Sequence, residues 1–153
     1  MSLARNMATL GPIGTSLPAP GTAGSFVALI AGYFILSAGF MWLAFSTLMV
    51  LFVGVWASSK YETETGKKDA SEVVIDEVAG QWSVLLVAPL SIEAFLAAFL
   101  LFRLFDILKP FPVNKADQIK GGIGVMADDM VAGFLAGACL IILMIAGLIS
   151  PQI

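Results

Sequence analysis

Residues 26–59 contain no charged side chain. One bilayer crossing takes ~20 apolar residues, so this run is long enough to enter a membrane, turn and come back. Ser37, Ala38 and Gly39 offer a soft break within it, which predicts a hairpin of unequal arms. The first arm is short for a full crossing, so a tilted or re-entrant segment is one expectation. Composition points the same way. Of the 153 residues 59% are hydrophobic and 12% charged, against about a quarter charged in a soluble domain. The length fits one domain over residues 1–153, with a tail of about ten residues at its start.

Other segments fit the same plan. The opening "MSLARNMATLGPIGTSLPAP" breaks into Gly and Pro before any apolar core builds, so it makes a poor secretory signal and is expected to stay on the protein. A polar hinge, "SSKYETETGKKDASE", covers residues 58–72. Residues 73–105 read as two helices joined near Pro89–Ser91, because proline breaks the helical ladder. "DILKPFPVNKADQIKGG", residues 106–122, is a second polar connection, and 130–149 suffices for one transmembrane helix. The expected fold is therefore all-α, a compact bundle of several hydrophobic helices.

Positive charge orients it. Arg5 precedes the first apolar run, Lys60, Lys67 and Lys68 lie in the first hinge, and Arg103, Lys109, Lys115 and Lys120 flank or fill the second. If cations mark the cytoplasmic side, all three polar segments lie there. The net charge is only −3 and no basic block is dense enough for nucleic acid, so none is expected as a partner. The single cysteine, Cys139, excludes an internal disulfide and reads as a small buried hydrophobe.

Five acids stand out: Asp76 and Glu77 in "VVIDEVAGQW", Asp106 in "FRLFDILKPFP", and Asp128 and Asp129 in "GGIGVMADDMVAG". Each set sits where an apolar helix meets a polar connector. Carboxylates near hydrocarbon are costly unless paired or bound to a cation. With no histidine in the chain, oxygen ligands converging from three helices favour Mg²⁺, with Mn²⁺ as a substitute. Steps of four from Asp129 reach Gly133 and Gly137, and one from Asp76 reaches Gly80, small-residue faces that let helices approach closely. That alignment favours Asp129 over Asp128 as a direct ligand. The bland alternative is acids stabilising helix N-termini. Glu62, Glu64, Asp69, Glu72 and Asp117 read as solvated, with Asp69 near enough to keep in reserve, and Glu93 as marking a turn away from the site.

Arg103 and Lys109 share a helical face with Asp106, and a divalent ion with Arg and Lys is what a phosphate ester needs. Snorkelling at a membrane boundary is the competing account of both cations. "GTSLPAPGTAGSF" leads a Gly/Pro loop into a helix, where it could hold an anion or could simply turn, with Thr22 or Ser25 as N-cap. Without histidine, the phosphohistidine route of type 2 phosphatidic acid phosphatases is closed, as are Ser–His pairs. "ADDM" is not an Asp-x-Asp nucleophile loop, and Cys139 has no cysteine-phosphatase context. Metal-assisted hydrolysis by water remains.

The chain resembles the phosphatidylglycerophosphatase A family. Four blocks carry the likeness: "LPAPGTAGS" (17–25), "KDASEVVIDEVAGQW" (68–82), "FRLFDILKPFP" (102–112) and "GGIGVMADDMVAG" (121–133). The resemblance implies Mg²⁺-dependent removal of the terminal phosphate of phosphatidylglycerophosphate at the bacterial inner membrane. It carries catalytic or metal-binding roles onto Asp76, Glu77, Asp106, Asp128 and Asp129. Phosphate or headgroup contacts fall to Arg103 and Lys109, and the matching Pro-Gly-Thr block strengthens a role for Thr22 and Ser25. Two positions depart from the family pattern: Ala70–Ser71 where a proline often follows the aspartate, and Lys120 where a histidine often precedes the glycine pair. An essential histidine is thereby ruled out, and Lys120 becomes a candidate to meet the substrate phosphate.

Two other functions could use the same acids. A small divalent-cation transporter or binding protein would place them deep in the spans rather than at one interface beside cations. A CDP-alcohol phosphotransferase would need an Asp-Gly-x-x-Ala-Arg start and a later pair of aspartates spaced four apart, which this sequence lacks.

Overall fold

The computed structural model describes residues 2–68 and 70–150, and they form eight helices without a strand. Asp69, held in reserve above, lies outside the described residues.

Three helices are long and apolar enough to cross a membrane: α3 (Pro20–Ala38), α4 (Phe40–Thr65) and α8 (Gly121–Ile145). The break expected at Ser37–Gly39 is there. Gly39 takes φ 138°, a conformation L side chains rarely adopt, and separates α3 from α4. Both arms are longer than the charge pattern suggests. Pro20, pre-set for a first helical position, starts α3 six residues before the apolar run, so α3 is not short and has the length of a full crossing. At the other end α4 continues through most of the expected hinge. "SSKYETET" contains no breaker, and the helix stops only at Gly66, in a left-handed cap with φ 69°.

The tail expected over the first ten residues is instead structured. Helix α1 (Leu3–Thr9), with Ser2 as N-cap, packs on α4, and the carbonyl of Ala8 accepts a hydrogen bond from the Val74 amide at 2.9 Å. The short α2 (Pro12–Ser16) links it to α3.

Helix α5 (Ile75–Leu85) is the centre of the bundle. At ~1.5 Å per residue its 11 residues reach only about 16 Å, too short to cross, yet nearly every residue in it is buried. It packs against α3, α4 and α8. Pro89 and Ser91 then make the predicted break, with Ser91 capping α6 (Ile92–Leu108). Glu93 sits exposed in the first turn of α6, away from the other acids as expected. A one-turn helix, α7 (Val113–Ala116), lies within the second connector.

Close contacts fix the helix directions. Gly24 of α3 lies beside Val74 and Gly32 beside Leu85, so α3 and α5 run parallel. Gly80 lies beside the Asp129 carbonyl, and Gly133 beside Gly80 and Ser83, so α8 runs parallel to both. Gly54 meets Met126 and Gly122 meets Ser59, which makes α4 antiparallel to α8. Phe26 stacks edge-on with Phe99 and Tyr33 with Phe95, so α6 returns antiparallel to α3. The N-terminal segment and both polar connectors therefore gather at one end of the bundle. The outer surface is lined by exposed side chains such as Phe34, Phe45, Phe52, Leu100 and Ile142, as a lipid-facing surface requires.

The α5–α8 contact depends on two glycines. A Cβ on Gly133 would fall on the Ser83 hydroxyl and the Gly80 carbonyl, whereas one on Gly137 would meet only a Val87 methyl at 3.3 Å. Gly133→Ala is expected to lower stability by about 1–3 kcal/mol through overpacking, while Gly137→Ala stays near wild type. Thermal unfolding in detergent micelles separates the two.

Candidate active site

Helix α8 begins at Gly121, earlier than the apolar run, so Asp128 and Asp129 lie about two turns inside it rather than at its start. Macrodipole stabilisation, which fades within the first turn, cannot explain them. Asp76 and Glu77 do occupy the first turn of α5, so that effect contributes there. Asp106 comes from the last turn of α6.

All five acids line one cleft of about 280 Å³ at the polar end of the bundle, together with Thr22, Arg103 and Lys109. Its rim is closed by Gly21 at the start of α3 and by Ala70 and Ser71 of the first connector. Convergence of the three acidic sets, expected from spacing alone, is thus present.

The two cations are already engaged. Arg103 Nη1 donates to Glu77 Oε2 at 2.5 Å and lies 2.7 Å from Asp106 Oδ2. These side chains are only 10–14% exposed, which rules out simple snorkelling for Arg103. Ser25 donates to Glu77 Oε2 at 2.7 Å. Lys109 Nζ donates to Asp128 Oδ2 at 2.8 Å and also pairs with Asp117. Asp117, expected to be merely solvated, instead holds Lys109 in place. Hydrogen bonds to Asp117 and Asp128 outweigh partial burial and hold the Lys109 ammonium above its usual range.

Five carboxylates facing two cationic side chains leave excess negative charge. Burial pushes the Asp76 carboxyl well above the usual carboxylate range, and the charge of Glu77 beside it adds to the push. Burial also raises Glu77, with Asp106 next in weight, against the pull of Arg103. Asp129 is 4% exposed and, among the described residues, has no ion-pair partner. Its Oδ2, like Asp128 Oδ1, is buried without a hydrogen-bond partner. Orphaned carboxylate oxygens, an all-oxygen donor set and surplus negative charge fit a hard divalent cation. Among the described residues no three acidic side chains stand close enough to hold one ion as they are. The pairs just described explain why: Glu77 and Asp106 are turned onto Arg103, and Asp128 onto Lys109.

Several tentative residues fall differently from expectation. Neither Thr22 nor Ser25 caps α3, because Ala19 is its N-cap and makes no side-chain bond. Thr22 lines the cleft, while Ser25 is fully buried and bonded to Glu77. Lys120 is the N-cap residue of α8 and faces an adjacent cleft of about 220 Å³, which shares Asp128 with the first. Cys139 is half-buried rather than buried. Gln81, which sequence reasoning passed over, is fully buried one turn beyond Glu77, and neither its amide oxygen nor its nitrogen has a partner. An amide next to a tryptophan in an apolar helix was the available signal.

Fold and site define a class: a helical membrane protein whose bundle gathers acidic and basic side chains in one cleft at a single end. The phosphatidylglycerophosphatase A family model matches residues 6–144. A phosphatidylglycerophosphatase A of Haemophilus influenzae is 40% identical over 78% of this chain and 75% of its own, and that of Escherichia coli is 34% identical over 83% and 75%. A Bacteroides thetaiotaomicron protein, named provisionally as a phosphatidylinositol-3-phosphatase, is 46% identical over 75% of this chain and 77% of its own. No solved structure matches. The chain belongs to the phosphatidylglycerophosphatase A family. It is a phosphatase of lipid metabolism and a bacterial membrane protein.

Removing Arg103 leaves Glu77 and Asp106 facing each other with little solvent. Arg103→Ala is expected to cost about 3 kcal/mol of stability, the scale for breaking a buried pair, and Arg103→Lys less. Denaturation of both variants in the same detergent measures the difference, and wild-type stability for Arg103→Ala would remove these pairs from the account.

Proposed function

We propose that this chain hydrolyses the terminal phosphomonoester of phosphatidylglycerophosphate, releasing phosphatidylglycerol and inorganic phosphate, with Mg²⁺ held by the five acids. The observation that carries the reading is the pairing of orphaned, buried carboxylate oxygens on Asp128 and Asp129 with Arg103 and Lys109 in one cleft. The names of the Haemophilus and Escherichia relatives support the substrate.

Asp76, Asp129 and Asp128 would form the inner part of the ion site, with Glu77 and Asp106 completing it. When bound, Mg²⁺ supplies charge neutralisation at the phosphate oxygens and lowers the pKa of water. Turning Glu77 and Asp106 toward the ion would release Arg103, whose guanidinium then meets the phosphate as a planar fork. Lys109, at the C-cap of the same helix, adds a point charge. Ser25, donating to Glu77, fixes which way that carboxylate faces. Water attacks phosphorus, the bond to the glycerol oxygen breaks, and the alcohol leaves protonated. The first turn of α3, with Gly21 and Thr22 at the rim, offers amides and a hydroxyl to the headgroup. The lysines and arginines gathered at the polar end support a cleft that faces the cytoplasm at the inner membrane.

A second substrate reading has one observation behind it, the provisional name of the Bacteroides relative. Inositol carries its phosphate on a bulkier ring than glycerol does, but both are phosphomonoesters of a phospholipid headgroup.

Phosphate release from phosphatidylglycerophosphate and from phosphatidylinositol 3-phosphate, each in mixed micelles, tests both. Wild type should release phosphate from the first with Mg²⁺ and stop on chelation. Asp129→Asn should lose 10²-fold or more, the scale for removing a key electrostatic group, while remaining folded. Release from the inositol lipid alone would overturn the substrate assignment, and chelator-resistant release would overturn the metal.

A further inference from the structure

Helices α3 and α6 both contribute to the cleft, and both also line a groove further along their length. Thr22 on α3 and Arg103 on α6 line the cleft. Deeper on the same faces, Phe26 and Phe99 meet edge to face at 6.2 Å. Further along the same two helices, where Tyr33 also meets Phe95 edge to face at 5.7 Å, lies a second groove of about 310 Å³, bounded by Leu29, Ile30 and Tyr33 on one side and Phe95 and Leu96 on the other. Ser91, at the foot of α6, is its one hydroxyl besides that of Tyr33.

Depth identifies what fits. From Thr22 to Ile30 is about 12 Å along α3, and to Tyr33 about 16 Å, at ~1.5 Å per residue. Half of a ~30 Å hydrocarbon core is about 15 Å. With its headgroup layer a leaflet is ~20–22 Å deep, so the groove lies alongside the acyl chains, short of their ends, if a headgroup occupies the cleft in the same leaflet. We propose that this α3/α6 groove holds a stretch of one acyl chain of the lipid substrate. The inference rests on the cleft being a phospholipid phosphatase site and adds to it a chain-length determinant about 15 Å away.

Such a groove contributes to binding only for chains long enough to reach it. Ile30 and Leu96 are 47% and 55% exposed, so substitution there does not disturb the core. Ile30→Trp and Leu96→Trp fill the groove, while Met49→Trp on the outer face of α4, 45% exposed, is the control. Phosphate release is followed from dioleoyl and dihexanoyl phosphatidylglycerophosphate. Both groove variants should raise KM for the dioleoyl lipid about tenfold, equivalent to losing the burial of roughly two methylenes. Their kinetics on the dihexanoyl lipid should match wild type, and Met49→Trp should change neither. Equal effects on both lipids, or on neither, would overturn the groove.

A readout independent of turnover keeps the two proposals separable. Phosphatidylglycerol carrying a diazirine within one acyl chain, at the depth of the groove, is photolysed with wild-type protein in bilayers. Labelling concentrated on α3 and α6 around Ile30 and Leu96, and competed by unlabelled lipid, supports the groove even if no phosphate is released. Labelling spread evenly over the outer faces of α4 and α8, or exclusion by a second copy of the chain, overturns it. Absence of release from either lipid by wild type would instead count against the phosphatase reading.

Discussion

Five carboxylates set against two cations at the edge of a hydrophobic bundle is the constraint around which the molecule is arranged. Like charges at this density repel, and each loses solvation by being buried. Arg103 offsets Glu77 and Asp106, and Lys109 offsets Asp128 and Asp117. Asp129 is left with no cation, and Asp76 with only the Glu77 amide, which donates to its Oδ1 at 2.9 Å. A bundle that tolerates this arrangement must hold its helices close enough for the compensating contacts to be short.

Small residues achieve that. Gly80 and Gly133 bring α5 and α8 together, and Gly24 and Gly32 do the same for α3 and α5. Glycine costs helix stability, but in a membrane it lets backbones pack by van der Waals contact where no hydrophobic force favours association. The short α5 is consequently enclosed by longer neighbours, with its acidic N-terminus at the polar end and its C-terminus inside the apolar core. Gln81, buried without partners one turn below Glu77, shows that polarity extends beneath the acids.

Much of this was legible from residue types. Charge-free runs, Gly39 and the Pro89–Ser91 break marked the helices, and the cation distribution anticipated that the polar connectors share one end. The five acids were identified because carboxylates at the edge of apolar helices need an explanation. Boundaries were less legible, because charge and helicity are different properties. Residues 58–65 are polar yet helical, and α8 starts before its apolar run does. The ion pairs were hidden for another reason. Neither the pairing of Asp117 with Lys109 nor that of Ser25 with Glu77, 52 residues away, leaves a periodic signal, so Asp117 reads as solvated and Ser25 as either a headgroup contact or a cap. Lys120 fell into the neighbouring cleft through the geometry of the second connector, which composition does not encode.

The central claim, that the acid cleft is a divalent-cation site, is tested most directly by binding rather than by turnover. Mn²⁺ titrated into purified protein in detergent can be followed by the loss of its free-ion electron paramagnetic resonance signal. The account predicts saturable binding by wild type, competition by Mg²⁺, and loss of that binding in Asp129→Asn while Glu93→Gln, at the other end of the bundle, is unaffected. Equal Mn²⁺ binding by wild type and Asp129→Asn, or none by folded wild type, would contradict it.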